Sequence, residues 1–408
     1  MTTSIAAPAR TPAAAPAARP DGRALAPDLA RGTMLLTIAF AHAPLFVTDV
    51  DRGPALLNTV TDVFHLLFVN NHARPMFAFL FGYALVQLLD RRLDRSGGDW
   101  PGARRLLRRR GWWLMAIGFA HTALLVPIDI LAVYGLAAVL LTGLLRRRDA
   151  ALLWTAGLTL VPATAAVATG MWFAMSRGVS TYTAGGIAAG GQGFGELFAG
   201  RLAAWPFVLA VGLVGVVPGV ALGMWAARRR FLEEPVRHRA LLIRVTVITT
   251  VVSVAGSVPA ALVQTGLWAR PSPAALWAAV LAQPLTGYAG GIGLAALLAL
   301  VSIRAARRRA RLTTMVEALG RRSMSLYLFQ SVVFVLVFFP YGLGLQDDLG
   351  LAGATAVAAA TWLLSLSLAD LMRRIGHRGP AELLLRRLAY RDRWPRPGQA
   401  APGRGHHP

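Results

Sequence analysis

Few residues in this chain can do acid–base or ionic chemistry, and most of them lie within or beside long apolar runs. The first run, Thr33 to Ala41, follows Asp28-Leu29-Ala30-Arg31-Gly32 and ends at His42. Arg31 and His42 are eleven residues apart, about three turns of helix, so they share one face. The rise between them is about 16 Å, half of a hydrocarbon core of about 30 Å. Arg31 is therefore expected at one membrane surface and His42 near the midplane on the same stripe. Asp28 can pair with Arg31 at a spacing of three. An ionisable group at midplane depth is costly, and its default reading is functional. The alternative is a hydrogen bond to a neighbouring helix that holds the bundle together.

The other candidates are His65, His72, Arg74, His121 and Asp129. His121 and Asp129 flank a turn at Pro127-Ile128-Asp129, which places Asp129 at the outer membrane surface. If the bundle brings Asp129 to a histidine, its carboxylate orients an imidazole as a general base. Its simpler role is to cap the helix that follows. His72 and Arg74 open the second span and are candidates for a substrate path. Arg74 is otherwise an interfacial anchor that snorkels to head groups. No nucleophile elbow, P-loop, dinucleotide fingerprint or metal-ligand helix pattern occurs. Cysteine is absent, which excludes disulfides, thiolate catalysis and zinc–thiolate or iron–sulfur sites. No metal site and no resident cofactor are expected. His406-His407 reads as tail composition.

The elements that carry these residues follow from composition. The chain has 408 residues, 55% hydrophobic, and a mean hydropathy of +0.52. The apolar residues fall in long blocks. The fold class is an all-α polytopic membrane protein. The formal charge of +23 does not point to nucleic acid, because the arginines sit in short clusters between apolar blocks and there is no lysine. Residues 1–27 and 391–408 are expected as disordered tails flanking a membrane domain over 28–390. Ala41-His42-Ala43 has a cleavage-like pattern, but Pro44 and Leu45-Phe46-Val47 favour a retained span. Further spans are expected at about 76–89, 111–126, 130–145, 150–174, 202–227, 241–262, 274–303, 324–339 and 351–372, about ten in all. The stretch 49–62 reads as a polar connection, 63–69 as an interfacial or re-entrant piece, and 175–200 as a Gly-rich loop around Gly185 to Gly195. With these spans, 37 of the 42 arginines fall on one side. The positive-inside rule then makes both termini cytoplasmic.

The later part of the chain resembles a family. Gly320-Arg321-Arg322-Ser323-Met324-Ser325-Leu326-Tyr327-Leu328-Phe329-Gln330-Ser331 resembles the opening of a bacterial domain of unknown function numbered 418, as in YeiB-like membrane proteins. Tyr341-Gly342-Leu343-Gly344-Leu345 and Gly379-Pro380-Ala381-Glu382-Leu383-Leu384-Leu385-Arg386-Arg387-Leu388 fit its later motifs, placing the domain at about 230–390. Asp28…Arg31-Gly32, Leu80-Phe81-Gly82, Gly118…His121 and Asp129-Ile130-Leu131-Ala132-Val133-Tyr134 are similar as well. In that family an Asn is more usual at the position of His42. With His there, Arg31 and His42 are similar to the Arg-x10-His signature of acyltransferase-3 membrane enzymes. The resemblance implies a bacterial inner-membrane protein that moves an acyl group from cytoplasmic acyl-CoA to an extracytoplasmic acceptor. Arg31 would contact the donor's phosphates, and His42 would be general base on an acceptor hydroxyl, with His121 and Asp129 supporting it. The alternatives are a transporter or flippase, whose ionisable groups line a polar path, and a non-catalytic membrane scaffold.

Overall fold

The computed structural model describes residues 24–184 and 193–390, and every regular element among them is helical. In order they are α1 (Leu25–His42), α2 (Ala55–Phe64), α3 (Ala73–Ser96), α4 (Trp100–Leu124), α5 (Leu131–Leu141), α6 (Asp149–Met175), α7 (Thr181–Ala184), α8 (Phe194–Arg228), α9 (Arg239–Gln264), α10 (Pro273–Arg307), α11 (Arg311–Arg321), α12 (Ser323–Phe338), α13 (Leu351–Arg374) and α14 (Pro380–Ala389). Short 3₁₀ turns extend α1 through Ala43–Phe46 and α5 through Thr142–Arg146, and a π-helical turn, His65–Val69, extends α2.

Among the described residues, six helices are long and apolar enough to cross a membrane: α1 with its turn, α6, α8, α9, α10 and α13. A seventh is added if α11 and α12, bent by 89° at their junction, count as one span. A helix stands at each of the ten expected segments. Of the remaining three, α3 and α4 have 24 and 25 residues but carry arginine clusters, and α5 with its turn is shorter. Large apolar side chains project outward from α6, α8 and α9, among them Val161, Phe207 and Val251. Such surfaces suit lipid rather than water.

Several boundaries differ from the sequence reading. α1 begins at Leu25 rather than at the Asp28 foot, because Pro27 is tolerated in a first helical turn. The connection 49–62 contains α2, whose Leu56, Leu57, Val60 and Phe64 recur at helical spacing and are exposed. The piece 63–69 is the last two residues of α2 followed by the π turn, with His65, Leu66 and Val69 buried. α7 and the first turns of α8 lie within the expected loop 175–200, and α11 lies within the arginine stretch 304–322. Both expected tails, apart from residues 24–27, and residues 185–192 of the Gly-rich loop lie outside the described residues.

Two packing features set the site. At the arginine-rich end, α1 lies against α11 with almost no gap. A Cβ on Gly32 would collide with the Val316 carbonyl, and one on Gly320 with the Asp28 carbonyl. Trp362 of α13 donates its Nε1–H to the Gly32 carbonyl at 3.1 Å. This contact brings Asp28 to Arg31 at 3.2 Å and to Arg321 at 3.4 Å. Further along, α4 meets α5 through Gly111 and Gly135, each of which would drive a Cβ into the other's carbonyl oxygen.

Replacing Gly320 by Leu is expected to force α1 and α11 apart. Overpacking costs about 1–3 kcal/mol, so the thermal midpoint in detergent falls clearly below wild type. An unchanged midpoint would show that this contact does not fix α1.

Candidate functional site

The turn between α4 and α5 places a carboxylate inside the bundle. Asp129 Oδ2 accepts the Ala132 N–H at 2.5 Å and caps α5, a role open to Asp because its side chain satisfies an unpaired helix-start donor. Asp129 Oδ1 lies 3.0 Å from His121 Nδ1. His121 Nε2 lies 2.9 Å from Ser331 Oγ on α12. Gly118 leaves room for this, since a Cβ there would strike Asp129 Oδ2 and the Ala132 nitrogen. Asp129, His121 and Ser331 are all buried. Asp129 is thus enclosed by neighbouring helices rather than open to solvent.

His42 reaches the same neighbourhood from α1. Its ring centroid is 6.4 Å from that of Tyr327, and Tyr327 is 5.2 Å from His121 on the other side. His121, Arg74 and Asp129 are its ionisable neighbours. Four of the sequence candidates, from α1, α3, α4 and the α4–α5 turn, therefore converge. No hydrogen bond from the described residues reaches the His42 imidazole, and the ring is half-buried. The interhelical bond considered for it is not formed. Arg74 is exposed even though its guanidinium lies beside Gly215 of α8 and near the buried rings of Tyr134 and Tyr288. His42 and Arg74 thus both present free polar atoms in the midst of the helices.

His72 stands apart. Its Nδ1 lies 2.7 Å from the Asn70 carbonyl and its Nε2 2.6 Å from Ser253 Oγ on α9. Gln283 of α10 donates to the Leu66 and Asn70 carbonyls at 3.2 and 3.1 Å. These bonds satisfy the irregular backbone between α2 and α3, which lipid would leave unpaired. His65 bonds Thr355 of α13 at 3.0 Å.

A cavity of about 1600 Å³ opens at the arginine-rich end, larger than the usual range of about 300–1000 Å³ for small-ligand pockets. Nine arginines and one glutamate line it, including Arg31, Arg91, Arg110 and Arg321. The glutamate, Glu382 of α14, is engaged with the start of α12, accepting from Met324 N at 2.9 Å and Ser325 N at 3.2 Å. The walls beyond are apolar, with Leu35, Phe77, Leu80, Phe81 and Leu114. Along α3 the lining runs from Arg95 to Phe77, about 27 Å of helix. Its inner end is formed by Ile130, Tyr134 and Tyr327. The Tyr327 hydroxyl donates to the Ile128 carbonyl at 3.1 Å, so one aromatic ring separates the cavity from both histidines.

The sequence reading did not single out Tyr327, Gln330 or Ser331, although all three stand in the 320–331 motif. Their spacing carried a signal, because Tyr327 and Ser331 are one turn apart and share a face. Among the described residues, no group of His, Asp and Glu is placed to hold a metal ion.

Residues 226–392 match the family model described as "Protein of unknown function (DUF418)". Over 347 residues the chain is 23% identical to the uncharacterized protein YxaH of Bacillus subtilis (strain 168), an alignment that covers 79% of this chain and 80% of that protein. The motifs at 320–331, 341–345 and 379–388 all fall in the matched stretch. So do Tyr327, Ser331 and the cavity arginines of α11 and α14, whereas Arg31, His42, Arg74, His121 and Asp129 precede it.

Asp129→Asn keeps an oxygen for the Ala132 N–H but loses the carboxylate opposite His121. Asp129→Ala loses both. The alanine variant is therefore expected to be less stable than the asparagine variant by about 1 kcal/mol, the usual worth of a cap. Thermal denaturation of both in detergent checks this, and equal midpoints would show that the cap does not hold α5.

Proposed function

We propose that this integral membrane protein is an acyltransferase that draws an acyl group from cytoplasmic acyl-CoA and delivers it to an extracytoplasmic acceptor hydroxyl. One observation carries the reading: an arginine-mouthed, apolar-walled cavity ends one ring away from two histidines. Guanidinium groups suit phosphate oxygens, and the apolar wall suits an acyl chain. Arg31 stands at the mouth and His42 beyond the inner end, as their shared helix face requires.

In this reading Arg31 and its neighbours hold the donor's phosphates. His42 takes the proton of the acceptor hydroxyl, for which its unbonded imidazole is free. Arg74, exposed beside it, lies on the acceptor's path. A transporter would use the same cavity, but His121 contacts Asp129 and Ser331 and none of the three lines it, which favours chemistry over passage. The arginine-rich end faces the cytoplasm of a bacterial inner membrane, the chain crosses about ten times, and both termini are inside.

His42→Gln is expected to match wild type in abundance and thermal midpoint, since no protein hydrogen bond is lost. A transfer assay with radiolabelled acyl-CoA should fall about 10²–10⁴-fold, the usual worth of a general base. Arg31→Gln should instead weaken the stabilisation that acyl-CoA gives to thermal unfolding. Transfer that persists undiminished in His42→Gln would contradict the role given to His42.

Reporter fusions after Arg110, Arg148, Arg230 and Arg311 should all read cytoplasmic, and fusions within Thr48–Asp62 external. An inversion at any of the four internal sites would overturn the ten-span topology.

A further inference from the structure

Three buried polar groups on three elements stand in line: Asp129, His121 and Ser331. His121 Nδ1 lies 3.0 Å from Asp129 Oδ1, close but out of hydrogen-bond alignment; a proton on Nδ1 faces the carboxylate and leaves Nε2 as acceptor. In that tautomer Ser331 Oγ, 2.9 Å from Nε2, donates to it in place of its 3.4 Å bond to the Tyr327 carbonyl. Carboxylate, imidazole and hydroxyl in this order turn a serine into a nucleophile.

Interhelical packing would explain the same bonds if the surrounding polar groups were all paired, because packing networks satisfy their members. They are not all paired. Both amide atoms of Gln330, the Thr122 hydroxyl, and His121 Nδ1 and Asp129 Oδ1 themselves are buried without a hydrogen-bond partner. Gln330 is 2% exposed. Gln330 is consecutive with Ser331 on α12, and an unpaired amide donor is a group that an oxyanion can use. Tyr327, one turn before Ser331 on α12, forms the inner end of the donor cavity.

We propose that Ser331 is the nucleophile of a two-step transfer and holds the acyl group as an ester, with Gln330 as the oxyanion donor. This rests on the acyl-transfer reading above. In the first step Ser331 Oγ bonds the thioester carbonyl carbon and its proton passes to His121 Nε2, with Asp129 facing the imidazolium. The C–S bond then breaks, and the thiolate leaves and takes a proton from water at the cavity mouth. In the second step the acceptor hydroxyl adds to the ester carbonyl and gives its proton to His42, which releases it to water. The Oγ–C bond breaks and His121 returns its proton to Oγ. Each histidine thus serves one half-reaction: His121 has a fixed carboxylate and serine, while His42 keeps its nitrogens open for an incoming hydroxyl.

The test is covalent labelling of the full-length protein in detergent with a fluorophosphonate, whose phosphorus activated serines attack with loss of fluoride. The expected result is one adduct, mapped by mass spectrometry to Ser331 and absent from Ser331→Ala. His121→Gln should slow labelling about 10²–10⁴-fold. Gln330→Met should slow it about 10²–10³-fold with a thermal midpoint at or above wild type, since Gln330 has no partner to lose. A purely structural role would move the midpoint and leave the labelling rate alone. If the histidine variant does not fold, Ser331→Cys replaces it. The natural chain has no cysteine, so the introduced thiol is unique, and beside His121 it should react with iodoacetamide faster than a free thiol at neutral pH. Folded wild type without an adduct at Ser331, an undiminished labelling rate in His121→Gln, or an ordinary introduced thiol would overturn the proposal. The thermal shift caused by acetyl-CoA reports the donor site separately. A shift without Ser331 labelling removes only the covalent step, and labelling without a shift from any acyl-CoA removes only the donor reading.

Discussion

A carboxylate enclosed by helices must find hydrogen-bond donors there, because no bulk water is present to solvate it. Asp129 meets that demand with the Ala132 N–H on Oδ2, and its Oδ1 faces His121 Nδ1 at 3.0 Å. The same two contacts set the geometry around it. The first fixes where α5 begins, and the second fixes how the His121 ring is turned, so that its far nitrogen meets α12 at Ser331. Gly118 must lack a side chain for the turn to close. α4, α5 and α12 are thereby joined through one charged side chain, and the loss of that carboxylate would leave a buried imidazole to find another partner.

The second organising feature is an asymmetry of charge along the bundle. Arginines crowd one end of the cavity while Glu382, the lining acid, is occupied in capping α12. The mouth therefore carries a strong positive field over low-dielectric walls, which concentrates anions. Further in, charged groups give way to leucine and phenylalanine. A ligand that satisfies both regions has a polyanionic head and an apolar tail. The α1–α11 contact at Gly32 and Gly320 holds Arg31 and Arg321 on opposite sides of Asp28, which keeps two of the mouth's cations in place.

Much of the fold could be read from the residues, because hydrophobic blocks and arginine clusters are local signals. The positions of α6, α9, α10 and α13 follow from them directly. The Arg31–His42 stripe could also be read, since helical spacing alone places both residues. What could not be read depends on tertiary placement. α2 was hidden because its apolar face is short and interrupted by Asn58 and Thr61. The burial of Asp129 depends on how α4, α5 and α12 pack around it, which its sequence neighbours do not announce. Ser331 shares a helix face with Tyr327, but a serine in an apolar helix acquires chemistry only from the helix beside it. His72, which looked like His42 in type and setting, differs because Ser253 and Asn70 occupy both its nitrogens.

The central claim is that the cavity is a donor site that delivers a reactive carbonyl to the histidine pair. The direct measurement is a cryo-electron microscopy map of the full chain in lipid nanodiscs with a non-cleavable thioether analogue of acyl-CoA. The account predicts phosphate density among Arg31, Arg91 and Arg321, an acyl chain along Leu35 and Phe81, and the carbon that stands for the carbonyl next to Tyr327. An empty cavity at saturating ligand, or a chain bound with its phosphates away from these arginines, would contradict it.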